Sequence, residues 1–327
     1  MEKNIITLID KVKHIEEYDF NEVALEIFQF QYHNLDTYRE FCDYLNVKVA
    51  NVNRIEDIPF LPVEFFKTRK IIAKGYSESH IFQSSTTTGN IPSSHYVGDI
   101  SLYEHAILHT FNNNFGLCGD FHFVALLPGY VERKNASLVY MVDYLMQSSG
   151  METRPFFLHE YKKSLDYIHN YSEGKQIVLW GVTHALLQLC EYNTHLNNVI
   201  IIETGGMKGM GKELTREELY HRLNEKLNPK ALHSEYGMTE LLSHAYSTDG
   251  QWYRPASTMR VVLRDLYSPL LIIGEGRGGI NVVDLCNVLS CSFIATQDIG
   301  IIHHNTTFSV LGRIDNSELR GCNLMAL

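Results

Sequence analysis

The feature that most constrains this chain is an alternation of uninterrupted apolar runs with amphipathic stretches. Phe121 to Leu127 is apolar almost throughout and runs into Pro128-Gly129-Tyr130, after which Ser137 to Met146 has helical spacing. Gln176 to Trp180 runs into Gly181 and then a helix carrying Leu186, Leu187 and Cys190, and Val199 to Ile202 repeats the order. A strand that is apolar on every residue is covered on both faces, which is the signature of parallel strands between layers of helices. The fold class expected is therefore α/β, with mostly parallel sheet flanked by helices, and ligands gather at the carboxyl ends of such strands. Two other textures border this centre. The first fifty or so residues read as helices: Asp19 and Glu22 resemble a capping box ahead of Phe20, Ala24, Leu25, Phe28 and Tyr32, and Tyr38, Phe41 and Leu45 give a second short helix. From residue 230 the chain is strand-rich, with strands expected over 259–263, 270–273, 279–285 and 307–311, which predicts a smaller antiparallel β subdomain. No linker or repeat divides the chain, so residues 1–327 are expected to form one domain with a helical part (1–55), an α/β part (56–230) and a strand-rich part (231–327).

Charge and cysteine content narrow the function classes. A formal charge of -10 and a pI near 5.9 leave no basic field for a phosphodiester backbone, so nucleic acid is not an expected partner. No apolar run approaches the roughly 18 residues that span a bilayer, and Met1-Glu2-Lys3-Asn4 opens no signal peptide, so the expected address is the cytoplasm. The six cysteines, at 42, 118, 190, 286, 291 and 322, form no CxxC pair; most are expected to be reduced core thiols rather than zinc ligands or disulfides.

Several loops carry polar chemistry. Ser84-Ser85-Thr86-Thr87-Thr88-Gly89-Asn90-Ile91-Pro92-Ser93 is dense in hydroxyl donors, and its glycine lets backbone approach a bound group, which suits a phosphate. Ser101 and Glu104 behind it form a second capping-box pattern, giving an expected loop-then-helix anion site. Gly206-Met207-Lys208-Gly209-Met210-Gly211-Lys212 fits G-x-x-x-x-G-K, but Glu213 stands where a P-loop requires Ser or Thr, and the capping box of Thr215 with Glu218 starts the helix too late. Gly274-Glu275-Gly276-Arg277-Gly278-Gly279 precedes a strand, so it reads as a turn and not a dinucleotide loop. Ile58-Pro59-Phe60-Leu61-Pro62-Val63-Glu64-Phe65-Phe66-Lys67 reads as an extended connector pinned to the core, since its prolines break helix while its aromatics demand burial.

These pieces stand in a familiar order. Ser84 to Pro92 resembles the phosphate loop S-S-G-T-T-G-x-P of the adenylate-forming superfamily, and Tyr236-Gly237-Met238-Thr239-Glu240 resembles its Y-G-x-T-E. Thr296-Gln297-Asp298 is similar to the T-x-D element and Gly312-Arg313-Ile314-Asp315 to the G-R-x-D hinge. The match narrows to the acyl-protein synthetase branch, the fatty-acid-activating component of bacterial bioluminescence, related to phenylacetate-CoA ligases. Ile58 to Lys67, Leu127-Pro128-Gly129-Tyr130 with Ser137 to Met141, and Glu203-Thr204-Gly205-Gly206-Met207-Lys208-Gly209 carry that likeness, which extends from about Ile55 onward.

The resemblance implies an ATP- and Mg²⁺-dependent enzyme that converts a carboxylic acid, of fatty acyl type, to its acyl-adenylate and passes the acyl group to a thiol. By carry-over Ser84, Ser85, Thr86, Thr87, Thr88 and Gly89 hold phosphate, Tyr236 and Gly237 border the nucleotide, Thr239 contacts phosphate or carboxylate, and Glu240 binds the metal. Asp298 accepts from the ribose, with Arg313 beside it. The chain departs from the pattern at Thr86, where glycine is usual, and at Ser93, where lysine is usual. It also stops shortly past the hinge motif, so the carboxyl-terminal lid and its catalytic lysine are expected to be absent; Lys208, Lys212 and Arg133 are candidates to supply a cation. Cys322, in Arg320-Gly321-Cys322-Asn323, corresponds to the branch's acyl-carrying cysteine and would deliver its acyl group to an acyl-CoA reductase-like partner. Two other readings stay open: a carboxylate-CoA ligase that uses free coenzyme A, and a non-catalytic subunit that binds nucleotide or a partner.

Overall fold

The computed structural model describes residues 2–84, 91–128, 135–192, 194–205, 214–303 and 307–314. The chain opens with helices α1 (Glu2–Lys13), α2 (Phe20–Asn34) and α3 (Asp36–Tyr44), the second capped by Asp19, whose carboxylate accepts from the backbone N–H groups of Asn21 and Glu22. β1 (Leu61–Pro62) and α4 (Phe65–Thr68) come next, then β2 (His80–Gln83), β3 (Ser94–Val97), α5 (Ile100–Phe115), β4 (Phe121–Leu126), α6 (Ser137–Ser148), β5 (Phe156–Phe157) and α7 (Tyr161–Asn170). After them stand β6 (Gln176–Val182), α8 (Thr183–Leu189), β7 (Val199–Thr204), α9 (Arg216–Leu227) and β8 (Ala231–Tyr236). The remainder is strand: β9 (Ala245–Ser247), β10 (Tyr253–Pro255), β11 (Met259–Arg264), β12 (Ile272–Ile273), β13 (Arg277–Asp284), β14 (Phe293–His303) and β15 (Thr307–Arg313).

The parallel run β5-β4-β6-β7-β8 is the part that alternation of apolar runs and helices predicts, and its neighbours pair in register, for example Trp180↔Ile202 and Ile202↔His233. β8 then pairs antiparallel with β9, and the sheet continues as β10-β15-β14-β13-β11-β12. The antiparallel strands therefore extend the parallel sheet instead of standing apart from it, while β2 and β3 make a separate two-stranded sheet. α5 lies on one face, its Phe111 ring 5.3 Å from Phe123 and its Phe115 ring 4.9 Å from Tyr246. On the other face His122 meets Tyr167 of α7, Leu186 of α8 packs on Gly181, and Tyr220 of α9 reaches Ser234. The amino-terminal helices seal the start of β14: Phe28 and Tyr38 pack on Phe293, and the Gln31 amide donates to Ser292 Oγ and to the carbonyls of Asn287 and Val288. Full burial of each such aromatic stabilises by about 2–3 kcal/mol.

Three expectations change. The connector at 58–67 is pinned as a strand, β1 pairing parallel with β14 through Leu61↔Ile294, but a short helix, α4, then places Lys67 beside the sheet end. The helix behind the hydroxyl-rich loop is capped by Asp99, whose carboxylate takes Ser101 N at 2.9 Å; Ser101 lies inside the helix and its hydroxyl accepts from Lys13. Strand β3 stands between that loop and α5, so the loop connects two paired strands and does not lead into a helix amino terminus. The full capping box at Thr215 and Glu218 starts α9 as the sequence indicates, and Gly274 to Gly279 leads into strand β13. Five cysteines, Cys42, Cys118, Cys190, Cys286 and Cys291, are buried and free. No helix among the described residues is long and apolar enough to cross a membrane.

Candidate active site at the carboxyl end of strand β8

β8 ends in Glu235-Tyr236, and the strand end and the turn beyond it are held from several sides. Tyr236 OH donates to Asp298 Oδ2 at 2.8 Å. The antiparallel register Asp298↔Arg313 sets the Arg313 guanidinium 3.5 Å from Asp298 Oδ1, and Ile314 N donates to Gln297 O at 2.7 Å behind them. The Asp298 side chain is 14% exposed and that of Arg313 75%, so the pair presents a carboxylate at the floor and a cation at the rim. Burial and the Asp298 charge hold the Tyr236 phenol well above its usual range, so it stays a donor.

The turn from Gly237 to Glu240 is anchored through its backbone. Buried His95, on β3, faces the Thr239 carbonyl with Nδ1 at 2.9 Å; a carbonyl only accepts, so Nδ1 carries the proton. Burial pulls the His95 pKa down to about 4, which keeps the ring neutral and that tautomer fixed. Asn287 Nδ2 donates to the Glu240 carbonyl at 2.9 Å and to Asp284 Oδ2 at 3.1 Å. Asp284, fully buried at the end of β13, accepts from Leu242 N, Ser243 N, Ser243 Oγ and Cys286 N at 2.6–3.1 Å. These contacts leave the side chains of Thr239 and Glu240 free of the work of holding the turn.

Glu240 is 6% exposed, and burial raises its carboxyl pKa against the Ser93 hydroxyl and the charges of Arg313 and Lys67, which favour ionisation. Ser93 also closes the hydroxyl-rich loop: Ser84 N donates to Ser93 O and Ser93 N to Ser84 Oγ, both at 3.0 Å. Ser93, just before β3, and residues 95 and 97 of β3 alternate onto one buried face, and the first two tie the neck of that loop to the Thr239–Glu240 turn. A nearby carboxylate with little but a hydroxyl for company, beside a loop neck and two cations, suits Mg²⁺, which binds through one or two carboxylates and substrate phosphates. No group of three or more His, Cys, Asp or Glu side chains that could hold a metal ion occurs among the described residues.

On the face opposite Glu235, the penultimate residue of β7 is Glu203, 1% exposed, which accepts from Arg216 Nη1 at 2.6 Å, from Ser234 Oγ at 2.8 Å and from the Thr183 hydroxyl. This network fixes the start of α9 against β7 and β8, on either side of the 206–213 connection.

The structure thus gathers Tyr236, Gly237, Thr239, Glu240, Asp298 and Arg313 at one end of β8 and brings Ser84 to them through Ser93. Ser85, Thr86, Thr87, Thr88, Gly89, Lys208 and Cys322, with the alternative cations Arg133 and Lys212, lie outside the described residues. Sequence reading passes over Lys67, His95, Asp284, Asn287, Glu203, Arg216 and Glu235 as functional positions. Lys67 reads there as part of a packing segment, and a polar residue closing a mostly apolar strand, such as Asp284 after Val282 and Val283, is the signal available for the buried strand carboxylates.

Two proteins described as long-chain-fatty-acid--luciferin-component ligase are similar to the chain. The one from Vibrio harveyi is 24% identical over 325 residues, covering 91% of this chain and 84% of its own length; that from Aliivibrio fischeri is 22% identical over 336 residues, covering 93% and 86%. The fold matches a 2-hydroxyisobutyryl-CoA ligase complexed with its acyl-AMP at TM-score 0.68 and 12% identity, over 90% of this chain and 68% of that one. It also matches a long-chain-fatty-acid-CoA ligase from Archaeoglobus fulgidus at TM-score 0.55 and 18% identity, over 75% and 53%. The adenylate-forming ligase fold is therefore established. Residues 11–326 match the family described as acyl-protein synthetase, LuxE, so the chain belongs to the acyl-protein synthetase family of AMP-forming ligases.

Proposed function

We propose that this protein activates a carboxylic acid with ATP and holds the acyl group as a thioester on Cys322 before passing it to a reductase-like partner. A carboxylate oxygen of the acid attacks the α-phosphorus, the bond to the bridging oxygen breaks, and acyl-AMP and pyrophosphate form. The Cys322 thiolate then attacks the acyl carbon, AMP leaves, and the thiol proton passes to solvent. The observation that supports this reading best is the convergence on one strand end of two carboxylates, Asp298 and Glu240, and the neck of a hydroxyl-rich loop. Asp298 accepts from the ribose while Tyr236 and Arg313 fix its two oxygens. The Ser84–Gly89 loop and Thr239 donate to phosphate, and Arg313 and Lys67 add positive charge at the rim. Glu240 would hold Mg²⁺, which neutralises phosphate charge when bound. Lys208 is proposed as a further cation for the leaving pyrophosphate, and the long-chain-fatty-acid class named for the Vibrio harveyi and Aliivibrio fischeri relatives is one candidate for the acid.

The test is intact-protein mass after incubation with ATP, Mg²⁺ and a panel of carboxylic acids, for the wild type and Cys322→Ser. An acyl-sized gain that hydroxylamine removes and that the variant lacks is expected. A variant that still turns over with coenzyme A, with no acyl-protein in either form, would replace the carrier cysteine by free coenzyme A. Failure of any acid to release pyrophosphate would favour the non-catalytic reading.

A further inference from the structure

An open cleft of about 260 Å³, none of whose lining residues belongs to the site above, lies where the turn after α1, the start of α2 and the β10–β11 turn meet. Its floor is apolar, formed by buried Ile15, Ala256 and Met259. Phe20 and Arg260 make one wall: the guanidinium lies 4.2 Å over the ring, and its Nη1 donates to Asn21 Oδ1 at 2.7 Å. Two polar side chains at the edge, Glu16 and Ser257, converge on His109 of α5. His109 Nε2 is 3.1 Å from Glu16 Oε1, and Nδ1 is 3.5 Å from Ser257 Oγ, so one imidazole bridges a carboxylate and a hydroxyl.

A carboxylate only accepts, so Nε2 carries the proton and Nδ1 offers its lone pair to Ser257, the tautomer a general base needs. The ring is braced by His105, stacked on it with centroids 5.4 Å and planes 14° apart, and by the Asn113 amide, 3.3 and 3.4 Å from its two nitrogens. Burial works to raise the Glu16 carboxyl, but the Ser257 hydroxyl, the backbone and the two histidine rings hold it below its usual range. The Ser257 hydroxyl therefore faces two acceptors, imidazole and carboxylate. Ser257 is exposed and stands in a turn: Met259 N donates to Ala256 O at 2.9 Å, which makes Ser257 and Thr258 its central residues. That turn is held from behind, because Ala256 N donates to His244 O, Leu285 N donates to Thr258 O, and Ser243 Oγ lies 2.7 Å from Thr258 Oγ1. The N–H groups of Ser257 and Thr258 have no backbone acceptor among the described residues. The N–H of a nucleophilic serine and that of the residue after it are suited to stabilise an oxyanion.

We propose that this cleft is a second catalytic site, a serine-hydrolase centre that cleaves short-chain acyl esters without ATP, with Ser257 as nucleophile and His109 as general base. Ser257 Oγ bonds to the ester carbonyl carbon as its proton passes to His109 Nδ1. The bond from carbon to the alcohol oxygen then breaks, and His109 returns the proton to the departing alkoxide. Water attacks the acyl-serine, giving a proton to His109, and the carbon–Oγ bond breaks as Oγ takes that proton back. The net reaction is ester plus water to acid plus alcohol. Glu16 does not touch the substrate; it is a positioning residue that fixes the His109 tautomer and stabilises the imidazolium. The acyl chain lies on the apolar floor, and a volume of about 260 Å³, below the roughly 300–1,000 Å³ of sites for drug-sized ligands, limits it to a few carbons.

The experiment uses the full chain without ATP and has two arms: hydrolysis of p-nitrophenyl acetate, butyrate and dodecanoate, and peptide mass after treatment with a fluorophosphonate. Wild type is expected to hydrolyse the two short esters with saturation and to carry one phosphonyl group, on Ser257. Ser257→Ala is expected to lose the label and about a hundredfold in kcat/KM, and His109→Gln about a hundredfold in kcat. Glu16→Gln still accepts from Nε2 but carries no charge to stabilise the imidazolium, so kcat is expected to fall about tenfold or more with KM within about twofold. A purely structural role for Glu16 would not split the two constants in that way. Should Ser257→Ala fold poorly, the site of the label in wild type decides the matter. No hydrolysis of any ester, a label elsewhere or none, or a folded Ser257→Ala with the wild-type rate would overturn the assignment. Preference for dodecanoate over butyrate would overturn the short-chain class.

Discussion

Replacing Asp284 by alanine should unfold the support of the Thr239–Glu240 turn. The Asp284 carboxylate is 0% exposed and accepts three backbone N–H groups, those of Leu242, Ser243 and Cys286, together with the Ser243 hydroxyl and the Asn287 amide. Deleting it strands the three buried backbone donors at about 1–3 kcal/mol each, while removing the cost of burying a carboxyl offsets part of this. The expected net loss is about 3–5 kcal/mol for Asp284→Ala and about 1–3 kcal/mol for Asp284→Asn, which keeps the volume and one carbonyl oxygen. Equilibrium urea unfolding by linear extrapolation measures both. Because the same carboxylate orders Asn287 against the Glu240 carbonyl, the asparagine variant should also bind Mg²⁺-ATP more weakly at a temperature where it remains folded. A loss below about 1 kcal/mol for the alanine variant, or an asparagine variant with native nucleotide affinity, would refute the view that this carboxylate holds the turn.

Other perturbations test neighbouring parts. Asp298→Ala removes the acceptor for Tyr236 and Arg313, and calorimetry with a non-hydrolysable ATP analogue should show affinity falling about tenfold or more; unchanged affinity would remove Asp298 from the nucleotide site. Gly237→Ala forces a methyl into Glu235 Oε1 and should cost about 1–3 kcal/mol, a cost that Glu235→Ala in the same chain should largely relieve; additive losses would deny the contact. Glu235 gives a pH signature. Its carboxyl is raised from 4.5 to about 7 by burial, with the Thr204 hydroxyl opposing and Glu203 assisting, so its contribution is fully present below the unfolded value and is lost as pH rises through about 7. Between about pH 5 and pH 8, wild type should therefore lose about 2–3 kcal/mol relative to Glu235→Gln, and parallel stability curves would contradict this.

The parts legible in the sequence are those governed by local periodicity. Phe121 to Leu126 and Val199 to Thr204 are buried on both faces and read as parallel strands because nearly every residue, His122 apart, is apolar or ends the run, and Thr215 with Glu218 marks the start of α9. The antiparallel subdomain expected after residue 230 is joined to the parallel strands in one continuous sheet, and that junction is not legible in the sequence, since the pairing of β8 with β9 depends on register and not on composition. The cap of α5 is ambiguous in sequence because Asp99 and Ser101 both have the chemistry for it, and tertiary contact with Lys13 decides which one serves. Within the site, Tyr236 and Asp298 are marked by motif, 62 positions apart, and they meet because antiparallel strands return the chain. His95, Asp284 and Asn287 act through backbone atoms of the turn, and no residue pattern announces a carbonyl's partner. Glu235 is hidden for a related reason: a glutamate at the end of a strand is ordinary until its neighbours on the α5 face are known.

The central claim is that the acid becomes an acyl-adenylate. With ¹⁸O in the carboxylate, ATP, Mg²⁺ and hydroxylamine as acceptor, the predicted products are hydroxamate and AMP carrying one ¹⁸O, because the attacking oxygen stays on the α-phosphorus. Unlabelled AMP, or ADP with labelled phosphate, would contradict it.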